Sequence, residues 1–281
     1  FRRVLFRSQL FLENKVEGLK DIVFQEKLGS LWEKTQRIQK LAVVIAKRLG
    51  LSIEETTLIQ RTAFLAKADL TTNMVNEFPE LQGIIGGYYA LETEDPAVAQ
   101  GIREQYLPRF SGDIFPESQT GIIVGLADKV DTLVGCFIAG LIPTGSQDPY
   151  GLRRQALGVC NTIIYHKMPI SLKDLIKTGM ELYGVEIDED GKREVLEKVI
   201  DFYKQRLENI LQEDKGIPYD VVGAVLAVGW EYPFDVLERA KILYDFMGKE
   251  TFLALITGFT RAFNLAKHAE LGKVNEEYLI D

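Results

Sequence analysis
Residues 34–69, KTQRIQKLAVVIAKRLGLSIEETTLIQRTAFLAKAD, spell out two helices and the turn between them. Ile38, Leu41, Val44, Ile45 and Leu49 recur at helical spacing, and Gly50 supplies a left-handed stop. Ser52 and Glu55 then form an S-x-x-E capping box that opens a second helix through Leu65, with Leu58, Ile59 and Thr62 on its inner face. The first pattern can be followed back towards Leu10, so helical structure is expected from Leu10 to about Gly50.

The same signals repeat outward from this pair. A helix is predicted across Gln82–Leu91, and Asp95-Pro96, an N-cap followed by proline at the first helical position, starts another through Tyr106. Leu107–Ser118, with Pro108, Gly112, Asp113 and Pro116, reads as an irregular loop. Helix resumes over Gln119–Ile142, breaks at Pro143-Thr144-Gly145-Ser146, and is expected to restart at Asp148-Pro149 by the same N-cap and proline signal. Further helices are predicted at Ser171–Tyr183, Lys192–Glu213 and Asp220–Ala227, followed by an αα pair, Asp235–Gly248 and Thr251–Glu270. Pro233 is read as an interruption between them. Almost no segment alternates with period two, so strands are incidental and the fold class is all-α.

With 281 residues and a prior of roughly 150 residues per domain, two domains are expected. Hydrophobic residues at 46% and charged residues at 26% exclude a disordered or collagen-like chain. The net charge of −8, from 33 basic and 41 acidic residues, means that a nucleic-acid partner must meet a local basic patch. Cys136 and Cys160 sit in apolar segments without metal-ligand spacing and read as reduced core thiols. The longest apolar stretch, Gly121–Thr144, contains Asp128, Lys129 and Asp131, too costly a set for hydrocarbon, so it is a core helix and no membrane is expected. Residues 1–8, FRRVLFRS, lack the pattern of a secretory signal and are expected to be a cloning or sequencing remnant. At the other end, an amphipathic helix runs into a short acidic tail with no further element to cover its apolar face, so a fragment of a longer protein is expected.

The helix beginning near Lys34, the second ending in Ala66-Lys67-Ala68-Asp69, and Ala127-Asp128 on a later one resemble the layout of the HD metal-phosphohydrolase superfamily. That superfamily holds a metal with a first His, a His-Asp pair and a late Asp. Here Lys34 stands where the first His belongs, and the pair reads Ala68-Asp69, or Ala66-Lys67 in the other alignment, with Asp128 as the late carboxylate. A divalent ion at such a site needs the missing nitrogen donors. No bound metal and no catalytic residue are therefore expected. The two histidines, His166 and His268, lie far away in sequence, and His166 is expected to be structural. Asp128 and Asp131 share a helix face and, with Lys129, are expected at a solvated or hydrogen-bonded helix rim. Asp188, Asp190 and Gly191 of the EIDEDG turn fail the calcium-loop pattern because the glycine falls too early. Gly83, Gly86 and Gly87 match no phosphate-binding loop and are expected to allow close packing or a bend.

Longer strings carry a more specific likeness. IVFQEKLG (22–29), AKADLTTNMVNEFPELQGIIGGYYA (66–90), YLPRFSGD (106–113), GLADKVDTLVGCF (125–137) and PTGSQDPYGLRRQALGV (143–159) resemble the β subunit of bacterial heterotetrameric glycyl-tRNA synthetase. The resemblance implies a degenerate HD-like helical domain at 9–168, connecting helices at 169–215, and the start of a helical anticodon-binding domain at 216–281. It implies a cytoplasmic subunit that binds tRNA(Gly) within an α2β2 enzyme, whose α subunit activates glycine with ATP and Mg2+. No cofactor is implied for this chain, and the fragment alone is expected to be inactive.

Phosphate contact requires Arg or Lys on rigid elements. The leading candidates are Arg153 and Arg154, with Lys129, Arg103 and Arg109 from the neighbouring motifs. Arg239, Lys241, Arg261 and Lys267 are the candidates on the αα pair. One of Arg153 and Arg154 could instead pair with Asp148 or Asp128, and adjacent helix positions diverge, so at most one is expected to face RNA. Two other readings stay open: a helical scaffold for αβ assembly, and an HD-type phosphohydrolase.

Overall fold
The computed structural model describes residues 11–184 and 188–267, and among them the chain is all-α apart from one two-stranded hairpin. A short helix α1 (Glu13–Val16) and a 3-10 turn lead into β1 (Val23–Gln25) and β2 (Gly29–Ser30), paired antiparallel with Val23 opposite Ser30. This hairpin corrects the expectation of helix from Leu10 onward. Gly29, the first residue after the hairpin loop, has φ +86°, a left-handed conformation, and a Cβ there would collide with the Glu33 carboxylate. Ser30 then caps α2 (Leu31–Arg48) in a capping box with Glu33: Ser30 N–H donates to Glu33 Oε2 at 2.7 Å and Glu33 N–H to Ser30 Oγ at 3.3 Å.

The turn after α2 forms as expected. Gly50 adopts φ +70° and Leu51 N–H donates to Ala46 C=O at 3.1 Å, a Schellman-type closure. The Ser52–Glu55 box opens α3 (Ile53–Leu65). Two short helices, α4 (Asn73–Glu77) and α5 (Ile84–Ala90), precede α6 (Pro96–Glu104), which is capped by Asp95 through Ala97 N–H at 2.7 Å.

The central element is α7 (Gln119–Ile138), buried almost around its whole circumference by α2, α3, α6 and the three helices that follow: α8 (Leu152–Tyr165), α9 (Leu172–Tyr183) and α10 (Glu189–Asn209). A helix apolar on all sides must sit inside the bundle. Val124, Val130, Leu133 and Val134 of α7 pack against Ile38, Leu41, Ile45, Ile59, Val159, Ile163, Leu175 and Tyr203 in one core.

The restart of helix at Asp148-Pro149 is displaced: α8 begins at Leu152 behind Gly151. Asp148 still caps it, its carboxylate accepting from Leu152 N–H at 2.8 Å and Arg153 N–H at 2.9 Å. Then come α11 (Tyr219–Val228), α12 (Pro233–Met247), which follows the expected break and has Pro233 as its first residue, and α13 (Glu250–Ala266). None of the α13 side chains is buried; Leu253, Ile256, Phe259 and Phe263 face outward. Among the described residues no helix is long and apolar enough to cross a membrane. The expectations for residues 1–8, for Glu186 and for His268 lie outside the described residues.

Candidate functional site
Burying α7 draws its charged residues inside, and this corrects the helix-rim expectation for Asp128, Lys129 and Asp131. They are 8%, 7% and 2% exposed. A buried carboxylate survives only with partners, and α2 and the end of α3 provide them. Lys34 Nζ lies 2.8 Å from Asp128 Oδ1 and donates to Asp131 Oδ2 at 3.0 Å and Thr132 Oγ1 at 2.7 Å. Lys67 pairs with Asp128 Oδ2 from the opposite side. One turn on from Lys34, Arg37 Nε donates to Asp131 Oδ1 at 2.7 Å, and its guanidinium lies over the Tyr183 ring at 4.0 Å. The hairpin closes the set, with Phe24 4.7 Å from the Lys34 ammonium.

The electrostatics follow from burial against pairing. Burial alone would raise the Asp128 carboxyl, but the Lys34 and Lys67 ammoniums outweigh it and hold the group well below the usual carboxylate range. Lys129 forms no salt bridge among the described residues. Its ammonium donates to the Gln105 and Leu107 carbonyls at 3.0 and 2.9 Å, and burial lowers it to about 8. That commitment removes Lys129 from the RNA-contact candidates.

Of the two alignments for the degenerate pair, Lys67 is the residue that faces Asp128. Ala68 packs in a separate apolar cluster, and Asp69 turns away. Its Oδ2 accepts from Gly83 N–H at 2.6 Å and Gly86 N–H at 3.2 Å, so the carboxylate orders the turn before α5. A Cβ on Gly86 would lie 2.9 Å from that oxygen, which explains glycine there. These residues do not fit a metal ion. Both Asp128 oxygens face ammonium groups, and lysine ammoniums at Lys34 and Lys67 offer protons where a metal needs lone pairs. A cavity of about 340 Å³ opens beside them, walled by Phe24, Tyr106, Tyr150 and Lys129, with Arg109 at its edge.

The remaining candidates divide by what their side chains already hold. Arg239 is spent on structure: it pairs with Asp235 at 2.8 Å and donates to the Val225 and Gly229 carbonyls, closing the end of α11. Arg109 is exposed and paired with Asp113 at 3.0 Å, Arg103 lies over the Tyr88 ring at 5.1 Å, and Lys241 pairs with Glu238. Arg261 and Lys267 are exposed on and just after α13. Arg153 and Arg154 are half-buried and exposed, and neither forms an ion pair among the described residues. Asp148, the suspected partner, is engaged by backbone N–H groups instead. Arg154 and Arg109 line one cavity of about 190 Å³ with Tyr150 and Gln155, and Arg153 and Arg154 line a second of about 180 Å³.

Other groups are accounted for by packing. His166 Nε2 donates to the Pro116 carbonyl at 2.8 Å. Cys136 and Cys160 are buried free thiols, and burial raises both, Cys136 to about 11. Asp188 caps α10 through Gly191 N–H, and Asp190 pairs with Arg193.

Fold and site together define an all-α bundle in which Lys34, Arg37 and Lys67 pair with Asp128 and Asp131 in the interior, while Arg153 and Arg154 line surface cavities. Residues 8–227 match the family described as glycyl-tRNA synthetase beta subunit, and the chain belongs to that family. It is 49% identical over 271 residues to the glycine–tRNA ligase beta subunit of Desulforamulus reducens, covering 95% of this chain and 39% of that protein. The corresponding protein of Moorella thermoacetica is 51% identical over 262 residues, covering 92% and 38%. That of Clostridioides difficile is 44% identical over 269 residues, covering 95% and 38%. The chain thus spans about 39% of the length of the relatives it matches.

Proposed function
We propose that this chain is the tRNA-contacting helical part of a glycyl-tRNA synthetase β subunit, acting with an α subunit that activates glycine with ATP and Mg2+. The observation that carries this is the pair Arg153 and Arg154, without an ion pair among the described residues, at the start of α8 in a chain of this family. Cations left without internal partners in a protein of net charge −8 suit a polyanion. Residues 9–168 act as a degenerate HD-like domain retained for shape, since the Lys34, Lys67 and Asp128 set is a closed ion-pair network unsuited to metal-assisted hydrolysis. Residues 169–215 connect it to the beginning of an anticodon-binding domain at 216–281. The enzyme works in the cytoplasm as an α2β2 assembly on tRNA(Gly).

The test is kinetic. In the full αβ enzyme, Arg153→Ala with Arg154→Ala raises KM for tRNA with little change in glycyl-adenylate formation measured by pyrophosphate exchange. Equal loss of both steps would assign the arginines to folding or assembly instead. A second reading, a scaffold for αβ assembly, is favoured by the outward apolar side chains of α13. Phe259→Ser with Phe263→Ser would then dissociate the α2β2 enzyme while leaving tRNA affinity intact.

A further inference from the structure
Arg206 lies on α10, beyond the HD-like region and outside the strings that point to RNA contact. With Arg153 and Arg154 it lines the cavity of about 180 Å³, which Asn209, Glu213 and Asp214 also line. None of the three arginines forms an ion pair among the described residues, and the two carboxylates pair with none of them. Arg206 Nη1 is buried and has no hydrogen-bond partner among the described residues. The other end of its fork reaches Gln205 Oε1 at 3.2 Å, and its face rests on the Phe202 ring at 4.4 Å. Burial and the neighbouring Arg153 charge both lower its affinity for its proton. A buried donor left unpaired beside a like charge is costly, and an anion in the cavity removes both penalties.

The geometry selects the anion. Guanidinium forks match phosphate oxygens bidentately. A volume of about 180 Å³ is below the roughly 300 Å³ at which small-molecule pockets begin, so it suits a phosphate group and bridging water better than a whole nucleotide. Arg154 lines both this cavity and a second one that Arg109 also lines, so two arginine-lined cavities share one residue. Such a pair fits successive phosphodiesters of one chain.

We propose that Arg206 completes, with Arg153 and Arg154, a binding site for a backbone phosphodiester of RNA, extending the contact surface from α8 onto α10. This rests on the tRNA-binding reading above.

The experiment uses the full αβ enzyme with tRNA(Gly). Arg206→Gln is expected to weaken tRNA binding about tenfold and to reduce the slope of log K against log salt by about one, with the unfolding midpoint unchanged. A second measurement needs no substitution: phenylglyoxal modification of Arg206, mapped by mass spectrometry, is expected to be suppressed by tRNA. Wild-type affinity and salt slope in Arg206→Gln, or modification of Arg206 undiminished by tRNA, would overturn the proposal while leaving an Arg154→Ala effect to support the tRNA reading. Protection by inorganic phosphate but not by tRNA would also overturn it. Absence of tRNA binding by the unmodified enzyme would sink the tRNA reading itself.

Discussion

The protein holds two clusters of basic side chains that differ in what surrounds them. Lys34 and Arg37 of α2, Lys67 after α3 and Lys129 of α7 are each 8% exposed or less, and are neutralised by Asp128 and Asp131 or satisfied by backbone carbonyls. Arg153, Arg154 and Arg206 converge on a surface cavity and form no ion pair among the described residues. The inner cluster costs desolvation and must balance its own charge. The outer one is not neutralised by carboxylates among the described residues, and with Arg206 Nη1 buried it gains from an external anion. Basic residues therefore report function here only after their internal partners are subtracted.

The largest break in that contrast comes from Asp131→Ala. It strands Arg37 and leaves Lys34 with half its carboxylate contacts, and should cost about 3–5 kcal/mol, read as a lower denaturant midpoint. Next is the pH dependence of Lys129. Its folded value of about 8 lies below the 10.5 of the unfolded chain, so between those values the unfolded state binds more protons and stability rises with pH. The full contribution is about 3 kcal/mol. Wild type should therefore gain stability relative to Lys129→Met between pH 8 and 10; parallel curves would show that the buried ammonium carries no such penalty. Ser30→Ala, which loosens the hairpin that places Phe24 over Lys34, should cost about 1 kcal/mol. Arg154→Ala should shift stability by less than about 0.5 kcal/mol; a larger loss would move Arg154 into the structural group.

Much of the fold was legible because local chemistry and tertiary packing agree. The Ser52–Glu55 box and the Gly50 stop set the α2–α3 turn, and Asp95-Pro96 set the start of α6. The hairpin was hidden because its loop depends on one left-handed glycine, and the apolar residues around it also fit a helical period, although Ser30 and Glu33 already spelled a capping box. Asp148-Pro149 misled because a carboxylate can cap from four residues away.

At the site, periodicity could not show that Asp128, Lys129 and Asp131 face inward, since α7 is buried on all sides and has no polar face to assign them to. Lys67 was within reach as the alternative alignment of the His-Asp pair. Arg37 follows Lys34 by one helical turn, a usable signal. Arg206 carried none, because its meeting with Arg153 depends on how α10 packs on α8.

The division between inner and outer cations is tested most directly by the salt dependence of tRNA(Gly) affinity in the full αβ enzyme. Arg153→Ala with Arg154→Ala should lower the slope of log K against log salt by at least about one, while Lys129→Met leaves it at the wild-type value. An unchanged slope in the arginine variant, or an equal drop in Lys129→Met, would contradict the account.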